Sequence, residues 1–149
     1  ANKDYTNRNI KDSNECDIDF MGKRILLAED NELNAEITTT ILSEMGFEVK
    51  VVEDGIFCVN EIQHQPANTY DLILMDIQMP NMNGYLATQK IRSIPEKNTI
   101  PIIAMSANAF VEDIMNSKIA GMNMHLAKPL DETKLMEALK QCKKDERVN

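Results

Sequence analysis

Four short, largely apolar runs in this chain each end in a residue that could take part in chemistry. In chain order, the runs and the residues that follow them are 25–28 with Glu29 and Asp30, 72–75 with Asp76, 101–105 with Ser106, and 125–127 with Lys128. Runs of this length are typical of buried parallel strands. Open α/β sheets bind their ligands at the carboxyl ends of the strands, where these side chains would meet. Three carboxylates, a hydroxyl and an ammonium suit a Mg²⁺-dependent site that accepts a phosphoryl group.

Each of these residues also has an ordinary structural explanation when it is taken alone. Asp76 could form a turn with its own backbone, and Glu29 with Asp30 could cap the next helix and complement its dipole. Ser106 could be a structural hydroxyl, and Lys128 could be a solvated surface lysine. We favour the chemical interpretation because all four strand ends carry suitable groups at once.

The apolar residues between these runs recur with the period of amphipathic helices. The first predicted helix has its apolar positions at Ile37, Ile41, Leu42 and Met45 and ends at Gly46, and the second has them at Ile56, Val59 and Ile62. The third predicted helix covers 85–91 and is ended by Pro95. The fourth has its apolar positions at Phe110, Val111, Ile114, Met115 and Ile119 and ends at Gly121, and the fifth has them at Leu135, Leu139 and Cys142, with Asp131 as N-cap. The alternating run 47–52 predicts a less buried strand. Five strands alternating with five helices predict an α/β fold, a doubly wound parallel sheet with helices on both faces.

Between about Lys23 and Lys140 the sequence resembles the receiver domain of response regulators, most of all the receivers of hybrid sensor histidine kinases. The segments that carry the resemblance are 27–31 (LAEDN), 74–80 (LMDIQMP), 103–109 (IAMSANA), 120–123 (AGMN) and 126–129 (LAKP). Acidic strand ends are common, but all of these segments in this order and at this spacing are specific. The resemblance implies the flavodoxin-like strand order 2-1-3-4-5 of CheY-like domains, which periodicity alone does not give.

The resemblance also implies a metal site and a phosphorylated residue. Asp76 would be the phosphoacceptor, and Asp30, Asp76 and the backbone carbonyl of Gln78 would bind Mg²⁺ directly. Glu29 would act through a bound water. The family more often has Asp where Glu29 stands, but the longer side chain of Glu is compatible with a water-mediated contact.

The remaining implied roles concern the phosphoryl group and a conformational switch. Lys128 would pair with one phosphoryl oxygen, Ser106 would donate its hydroxyl to another, and the bond before Pro129 would be cis. Receivers usually have Tyr or Phe at the position of His125, where the aromatic ring moves inward together with the hydroxyl residue. Two interpretations of His125 are open: a ring that simply faces solvent, or a switch residue whose charge depends on its surroundings.

Length and composition indicate one acidic globular domain. The chain has 149 residues, 43% of them hydrophobic, and a formal net charge of −8, which argues against direct binding of nucleic acid. No apolar run is long enough to span a membrane, and three scattered cysteines favour a reducing, cytoplasmic setting. We expect a flexible linker over 1–20, a receiver domain over 21–144 and a C-terminal tail over 145–149.

Two functions follow from the resemblance. The domain would either relay phosphate within a hybrid histidine kinase, or act as a stand-alone or truncated response regulator that controls a protein target or a DNA-binding output domain. Its partners would be a histidine kinase core, a histidine phosphotransfer protein or both, and a weak dimer is left open. The domain would catalyse its own phosphotransfer and autodephosphorylation. A phosphatase of the haloacid-dehalogenase type is disfavoured, because it needs an acid at the position of Gln78.

Overall fold

A computed structural model describes residues 22–107 and 111–148 of the chain. Its elements in chain order are β1 (Arg24–Ala28), α1 (Glu32–Glu44), β2 (Glu48–Val52), α2 (Gly55–His64), β3 (Leu72–Asp76), α3 (Gly84–Arg92), β4 (Ile102–Ser106), α4 (Val111–Ala120), β5 (Met124–Ala127) and α5 (Glu132–Val148). The predicted linker over 1–20 lies outside the described residues.

The strands form one parallel sheet in the order β2-β1-β3-β4-β5, as the resemblance implied. β3 lies at the centre and all five of its residues are buried, whereas β2 is an edge strand with a mostly accessible face. The register aligns Ala28 of β1 with Met75 of β3, and Asp76 with Met105 of β4. The residues that follow β1, β3 and β4 therefore leave the sheet at the same edge.

Alternate residues of the strands enter two separate apolar layers. Leu26 and Ile73 pack on the side of the sheet that α2 and α3 cover, and Ile25 and Leu74 pack on the side covered by α1 and α5. Burial of each large apolar side chain contributes about 1.5–3 kcal/mol relative to exposure. Two covered faces explain why the apolar runs of β1, β3 and β4 are continuous and show no polar alternation.

Some of the predicted helix faces are wrong. Ile56, Met115 and Ile119 belong to predicted apolar stripes, but they are 41%, 56% and 77% exposed. Ile37, which the pattern left open as either a core or a surface residue, is 49% exposed. The buried positions of these helices include small residues: Ala35 and Thr38 in α1, Gly55 and Cys58 in α2, Ser117 and Ala120 in α4. Phe110 lies outside the described residues.

The helix ends follow local side-chain chemistry. Asn31 is the N-cap of α1, because its side chain accepts a hydrogen bond from the Asn34 backbone N–H at 2.9 Å. The expectation that Glu29 or Asp30 would be the N-cap is therefore wrong, although Glu29 Oε2 accepts from the Asn31 N–H at 3.2 Å. The predicted cap Asp131 accepts from the Lys134 N–H at 2.8 Å. Gly46, at φ 105°, directly follows the C-cap of α1, where residues with a side chain are strained.

Two further findings concern the ends of the domain and membranes. α5 continues to Val148, so positions 145–148 are helical, and the division between domain and tail stays a prediction. Within the described part of the chain, every helix is too short or too polar to cross a membrane.

Candidate functional site

Three carboxylates meet at the carboxyl edge of the sheet. Glu29 and Asp30 follow β1 and Asp76 ends β3, and each offers one oxygen within 4.8 Å of the others. Glu29 is 3% exposed and Asp76 is 5% exposed, whereas Asp30 is open to solvent. The cluster exists because β1 and β3 are neighbours in the sheet, which brings together residues 46 positions apart.

Lys128 places an ammonium group between two of these carboxylates. Its Nζ lies 3.0 Å from Glu29 Oε1 and 3.2 Å from Asp76 Oδ2. The Lys128 backbone N–H donates to the Ser106 carbonyl at 2.7 Å, which fixes the start of the loop after β5. The Lys128–Pro129 bond is cis, as the resemblance implied.

The single ammonium does not balance the negative charge of this cluster. Burial, followed by the charge of Glu29, raises the pKa of Asp76 to about 7, although Lys128 acts in the opposite direction. Burial alone would lower the pKa of Lys128, but its hydrogen bonds and charge interactions with the two acids raise it overall. Glu29 Oε1 is buried and lies 3.0 Å from the Lys128 ammonium, which it shares with Asp76. These carboxylates therefore fit a small divalent cation, which would relieve their repulsion and supply a partner for buried oxygens.

The loop between β3 and α3 is held tightly beside Asp76. The Gln78 N–H donates to Asp76 Oδ1 at 3.3 Å, and the Gly84 N–H donates to the Ile77 carbonyl at 2.8 Å. A Cβ on Gly84 would lie 2.6 Å from the Asp76 carbonyl oxygen, so only glycine allows this approach. Asn83, which precedes it, caps α3 by accepting from the Leu86 N–H.

A second contact ties this loop to the start of α2. The Asn81 side-chain amide donates to Asp54 Oδ2 at 2.7 Å, and Asp54 also caps α2 through the Phe57 N–H. A Cβ on Gly55 would lie 2.3 Å from the Met82 carbonyl oxygen. The sequence interpretation missed this contact, because Asp54-Gly55 indicates a helix start but does not indicate which loop lies against it.

Ser106 and His125 are directly hydrogen-bonded. Ser106 Oγ lies 2.7 Å from His125 Nε2, and His125 Nδ1 lies 2.8 Å from the hydroxyl of Ser117 in α4. Because both ring nitrogens contact hydroxyls, the interpretation that His125 simply faces solvent is wrong. Whether it acts as a switch stays a prediction. Ser117 was missed, since serine in a helix gives no sequence signal of a buried partner.

The structure thus brings the predicted residues together in two groups at one edge of the sheet. Glu29, Asp30, Asp76 and Lys128 form the charged group, beside the loop that carries Gln78. Ser106 and His125 form the hydrogen-bonded group on β4 and β5. Together they offer a nucleophilic carboxylate, oxygen ligands for a hard cation, and hydroxyl and ammonium donors for an anionic group.

Comparison with known proteins identifies relatives with similar sequences. The chain is 42% identical over 112 residues to the peroxide stress-activated histidine kinase mak1 of Schizosaccharomyces pombe. The aligned region covers 73% of this chain and 7% of that protein. It is also 37% identical over 124 residues to the transcription factor SKN7 of Saccharomyces cerevisiae, and that alignment covers 83% of this chain and 19% of that protein. The chain therefore spans only a small part of each of these relatives.

A solved structure is similar to this chain in both fold and sequence. The receiver domain of a sensor histidine kinase from Pseudomonas aeruginosa PAO1, crystallised with a magnesium ion in its active-site cleft, is 41% identical, with a TM-score of 0.73. The match covers 80% of this chain and 96% of that one. The family model described as the response regulator receiver domain matches residues 25–140. This chain belongs to the response regulator receiver domain family.

Proposed function

We propose that this chain is the receiver module of a hybrid sensor histidine kinase, working in the cytoplasm, and that Asp76 is its phosphoacceptor. The observation that carries the proposal is the position of Asp76. Its buried carboxylate ends the central strand, within 4.8 Å of the Glu29 and Asp30 oxygens and 3.2 Å from Lys128 Nζ. The receiver domain would cover 21–144, after a linker over 1–20 and before a tail over 145–149.

The carboxylate cluster holds Mg²⁺ in this proposal. Asp30, Asp76 and the Gln78 carbonyl bind the ion directly, and Glu29 acts through a water. When bound, the ion neutralises charge on the phosphoryl oxygens and favours the ionised form of the nucleophile. The structural support is the surplus of negative charge in the cluster, together with the raised pKa of Asp76 that this charge helps to cause.

Asp76 attacks the phosphorus of a phosphohistidine in line. One carboxylate oxygen forms a new O–P bond while the N–P bond of the phosphoimidazole breaks, and the imidazole leaves with its electron pair. Such transfers need positioning and charge stabilisation more than covalent help. Lys128, already held between Glu29 and Asp76, pairs with one oxygen of the transferred group, and the Ser106 hydroxyl donates to another.

The partners in this proposal are a histidine kinase core as donor and a histidine phosphotransfer protein as acceptor. The chain itself is not proposed to bind nucleic acid, and a weak dimer is compatible with these roles. Later attack of water on the phosphorus, at the same site, would return Asp76 to the free acid. Of the two functions predicted from the sequence, we favour the module of a hybrid histidine kinase, because two of the relatives reported above are histidine kinases by name.

The test is chemical phosphorylation of the full chain. Acetyl phosphate with Mg²⁺ should add one phosphoryl group, seen as a mass increase of about 80 Da. Asp76→Asn should remain unmodified. Asp71→Asn is the matched control, because Asp71 lies just before the same strand and binds the Arg24 N–H at the opposite edge of the sheet. Labelling that persists in Asp76→Asn would disprove the assignment.

A second candidate function is that of a response regulator whose phosphorylation controls an output domain. The similarity to a transcription factor favours it. The two candidates differ in where the phosphoryl group goes. A relay receiver should return it rapidly to the histidine of a phosphotransfer protein, whereas a regulator should keep it on Asp76 and change its affinity for an output partner. Time courses of phosphoryl transfer from labelled receiver to such a protein distinguish them.

A further inference from the structure

A chain of three hydrogen bonds runs from the site edge of the sheet into α4. Ser106 Oγ lies 2.7 Å from His125 Nε2, His125 Nδ1 lies 2.8 Å from Ser117 Oγ, and Ser117 Oγ lies 3.0 Å from the Asp113 carbonyl oxygen. Ser117 is 2% exposed, so water has little access to its hydroxyl. These three hydrogen bonds therefore connect the Ser106 hydroxyl, which is proposed to bind the phosphoryl group, to the backbone of α4.

The number of protons that these side chains can donate determines the direction of each of the three hydrogen bonds. A hydroxyl has one proton to donate, and a carbonyl oxygen can only accept. Ser117 gives its proton to the Asp113 carbonyl, so it accepts a proton from His125 Nδ1. A neutral imidazole has one N–H, which leaves His125 Nε2 as an acceptor for the hydroxyl proton of Ser106. The Tyr85 hydroxyl also approaches the Asp113 carbonyl, at 3.4 Å, and lies within hydrogen-bonding reach of the Ser117 side chain. Ser117 has one proton, and when that proton goes to the Asp113 carbonyl or to Tyr85, His125 Nδ1 remains the donor to Ser117.

We propose that Ser117 is a positioning residue that fixes the Nδ1–H tautomer of His125 and so directs the Ser106 proton away from the phosphoryl site. The proposal rests on the function proposed above, since it concerns the same hydroxyl. In this arrangement the bond from Ser106 to His125 competes with the bond that Ser106 would make to a phosphoryl oxygen. Ser117 thus opposes the phosphorylated state without touching the phosphoryl group.

Loss of the Ser117 hydroxyl should release this opposition. Without the Ser117 hydroxyl beside Nδ1, the imidazole can place its proton on Nε2 and donate it to Ser106 Oγ. The Ser106 proton is then available to a phosphoryl oxygen. Ser117→Ala should therefore bind a phosphoryl mimic more tightly, by roughly three- to tenfold, as expected when one competing hydrogen bond is removed.

The tautomer can be measured directly on the full chain with ¹⁵N-labelled histidine. The experiment is done near pH 8, above the ordinary histidine pKa of about 6.5. The chain has two histidines, and His64 is an internal reference because its Nδ1 lies 2.7 Å from the Asn60 carbonyl and must donate to it. We expect Nδ1–H signals for both rings, and a shift of His125 alone towards Nε2–H in Ser117→Ala. An Nε2–H tautomer of His125 in the wild-type chain would overturn the proposal.

The functional consequence is measured by titrating beryllofluoride, a phosphoryl mimic, in the presence of Mg²⁺. Ser117→Ala should bind more tightly than the wild type, and Ser117→Thr, which keeps the hydroxyl, should restore both the tautomer and the wild-type affinity. Ser93→Ala is the matched control, because the Ser93 hydroxyl at the C-cap of α3 donates to the Lys90 carbonyl at 2.6 Å. Unchanged or weaker binding by Ser117→Ala would refute the opposing role.

The two measurements separate this proposal from the function on which it rests. If the wild-type chain neither binds beryllofluoride nor is labelled at Asp76, the proposed function fails, and the effect on phosphoryl binding fails with it. If labelling at Asp76 occurs but the affinity is the same in wild type and Ser117→Ala, only the role of Ser117 is refuted.

Discussion

The ammonium of Lys128 lies 3.2 Å from Asp76 Oδ2 and 3.0 Å from Glu29 Oε1, so it occupies part of the same negative cluster as a bound cation would. Lysine and cation therefore repel each other, although both stabilise an added phosphoryl group. Lys128→Met should bind Mg²⁺ roughly three- to tenfold more tightly, because one nearby positive charge is lost. It should nevertheless be labelled more slowly by acetyl phosphate. Calorimetric Mg²⁺ titration and mass spectrometry give the two quantities, and weaker Mg²⁺ binding would contradict this account.

The stability of the metal-free protein should depend on the pKa of Asp76. This carboxyl titrates at about 7 in the folded chain, against 3.8 for an ordinary aspartate. Between these values the folded state holds a proton that the unfolded state has released. The contribution of this proton to the free energy of unfolding is therefore complete below about pH 4, and it is lost as the pH rises through 7.

Melting temperatures in EDTA should accordingly fall between pH 5 and pH 8 more in the wild type than in Asp76→Asn. At pH 8, Asp76→Asn should melt roughly 2–8 °C higher than the wild type, and Mg²⁺ should remove most of this difference by stabilising the wild type. The same pH dependence in both proteins would show that other groups cause it.

Asp30 and Glu29 should differ in their effects on metal binding. Asp30 is exposed and proposed as a direct ligand, whereas Glu29 is buried beside Lys128 and is proposed to act through water. Asp30→Asn should weaken Mg²⁺ binding by more than roughly tenfold, and Glu29→Gln should weaken it less. Both proteins should stay folded, because each substitution reduces repulsion within the metal-free cluster. Equal losses in calorimetry would indicate that Glu29 is also a direct ligand.

Asn81 should support metal binding without touching the ion. Its amide donates to Asp54 and holds the loop that carries Gln78. Asn81 has φ 68°, so glycine can replace it without backbone strain, and Asn81→Gly removes mainly the amide contact. We expect Mg²⁺ binding to weaken by roughly tenfold, the size of effect seen for residues that orient ligands. Asn68→Gly is the control, because Asn68 has φ 77° in the distant loop between α2 and β3. Equal affinities in the two variants would exclude a positioning role for Asn81.

The strand ends could be predicted from the sequence because their signal is local. An apolar run followed by a charged residue, as at Asp76, specifies both a buried strand and the edge where its side chain emerges. The faces of α2 and α4 could not be predicted in the same way. Apolar spacing does not show that Gly55 and Ser117 are buried while Ile56 and Ile119 face outward.

Contacts between distant segments were also beyond the sequence. The hydrogen bond from Asn81 to Asp54 and the pairing of His125 with Ser117 depend on how separate βα units lie beside each other. Each of these polar residues has an adequate local explanation as a turn, cap or surface residue. Only the assembled sheet distinguishes these explanations from a role at the site.

The exposed apolar residues of α1 provide a test of docking. Leu33 is 64% exposed and Ile37 is 49% exposed on the helix that follows the Glu29-Asp30 strand end, so both are accessible to a partner that reaches Asp76. A phosphohistidine protein must dock over this edge of the sheet, whereas acetyl phosphate only needs to diffuse in. Because a few apolar anchors carry most of the energy of an interface, Leu33→Ala should slow transfer from the cognate phosphohistidine protein by roughly five- to tenfold.

The rate of labelling by acetyl phosphate should not change in Leu33→Ala, since the substitution removes no group from the site. Ile119→Ala is the matched control, because Ile119 is 77% exposed and lies on α4. This substitution also shortens an exposed apolar side chain, but outside α1. Stopped-flow or quench-flow transfer rates, measured with both donors for each variant, provide the comparison. If Leu33→Ala slows both donors equally, the substitution has damaged the site itself. If Leu33→Ala and Ile119→Ala slow protein-mediated transfer equally, docking is not specific to α1.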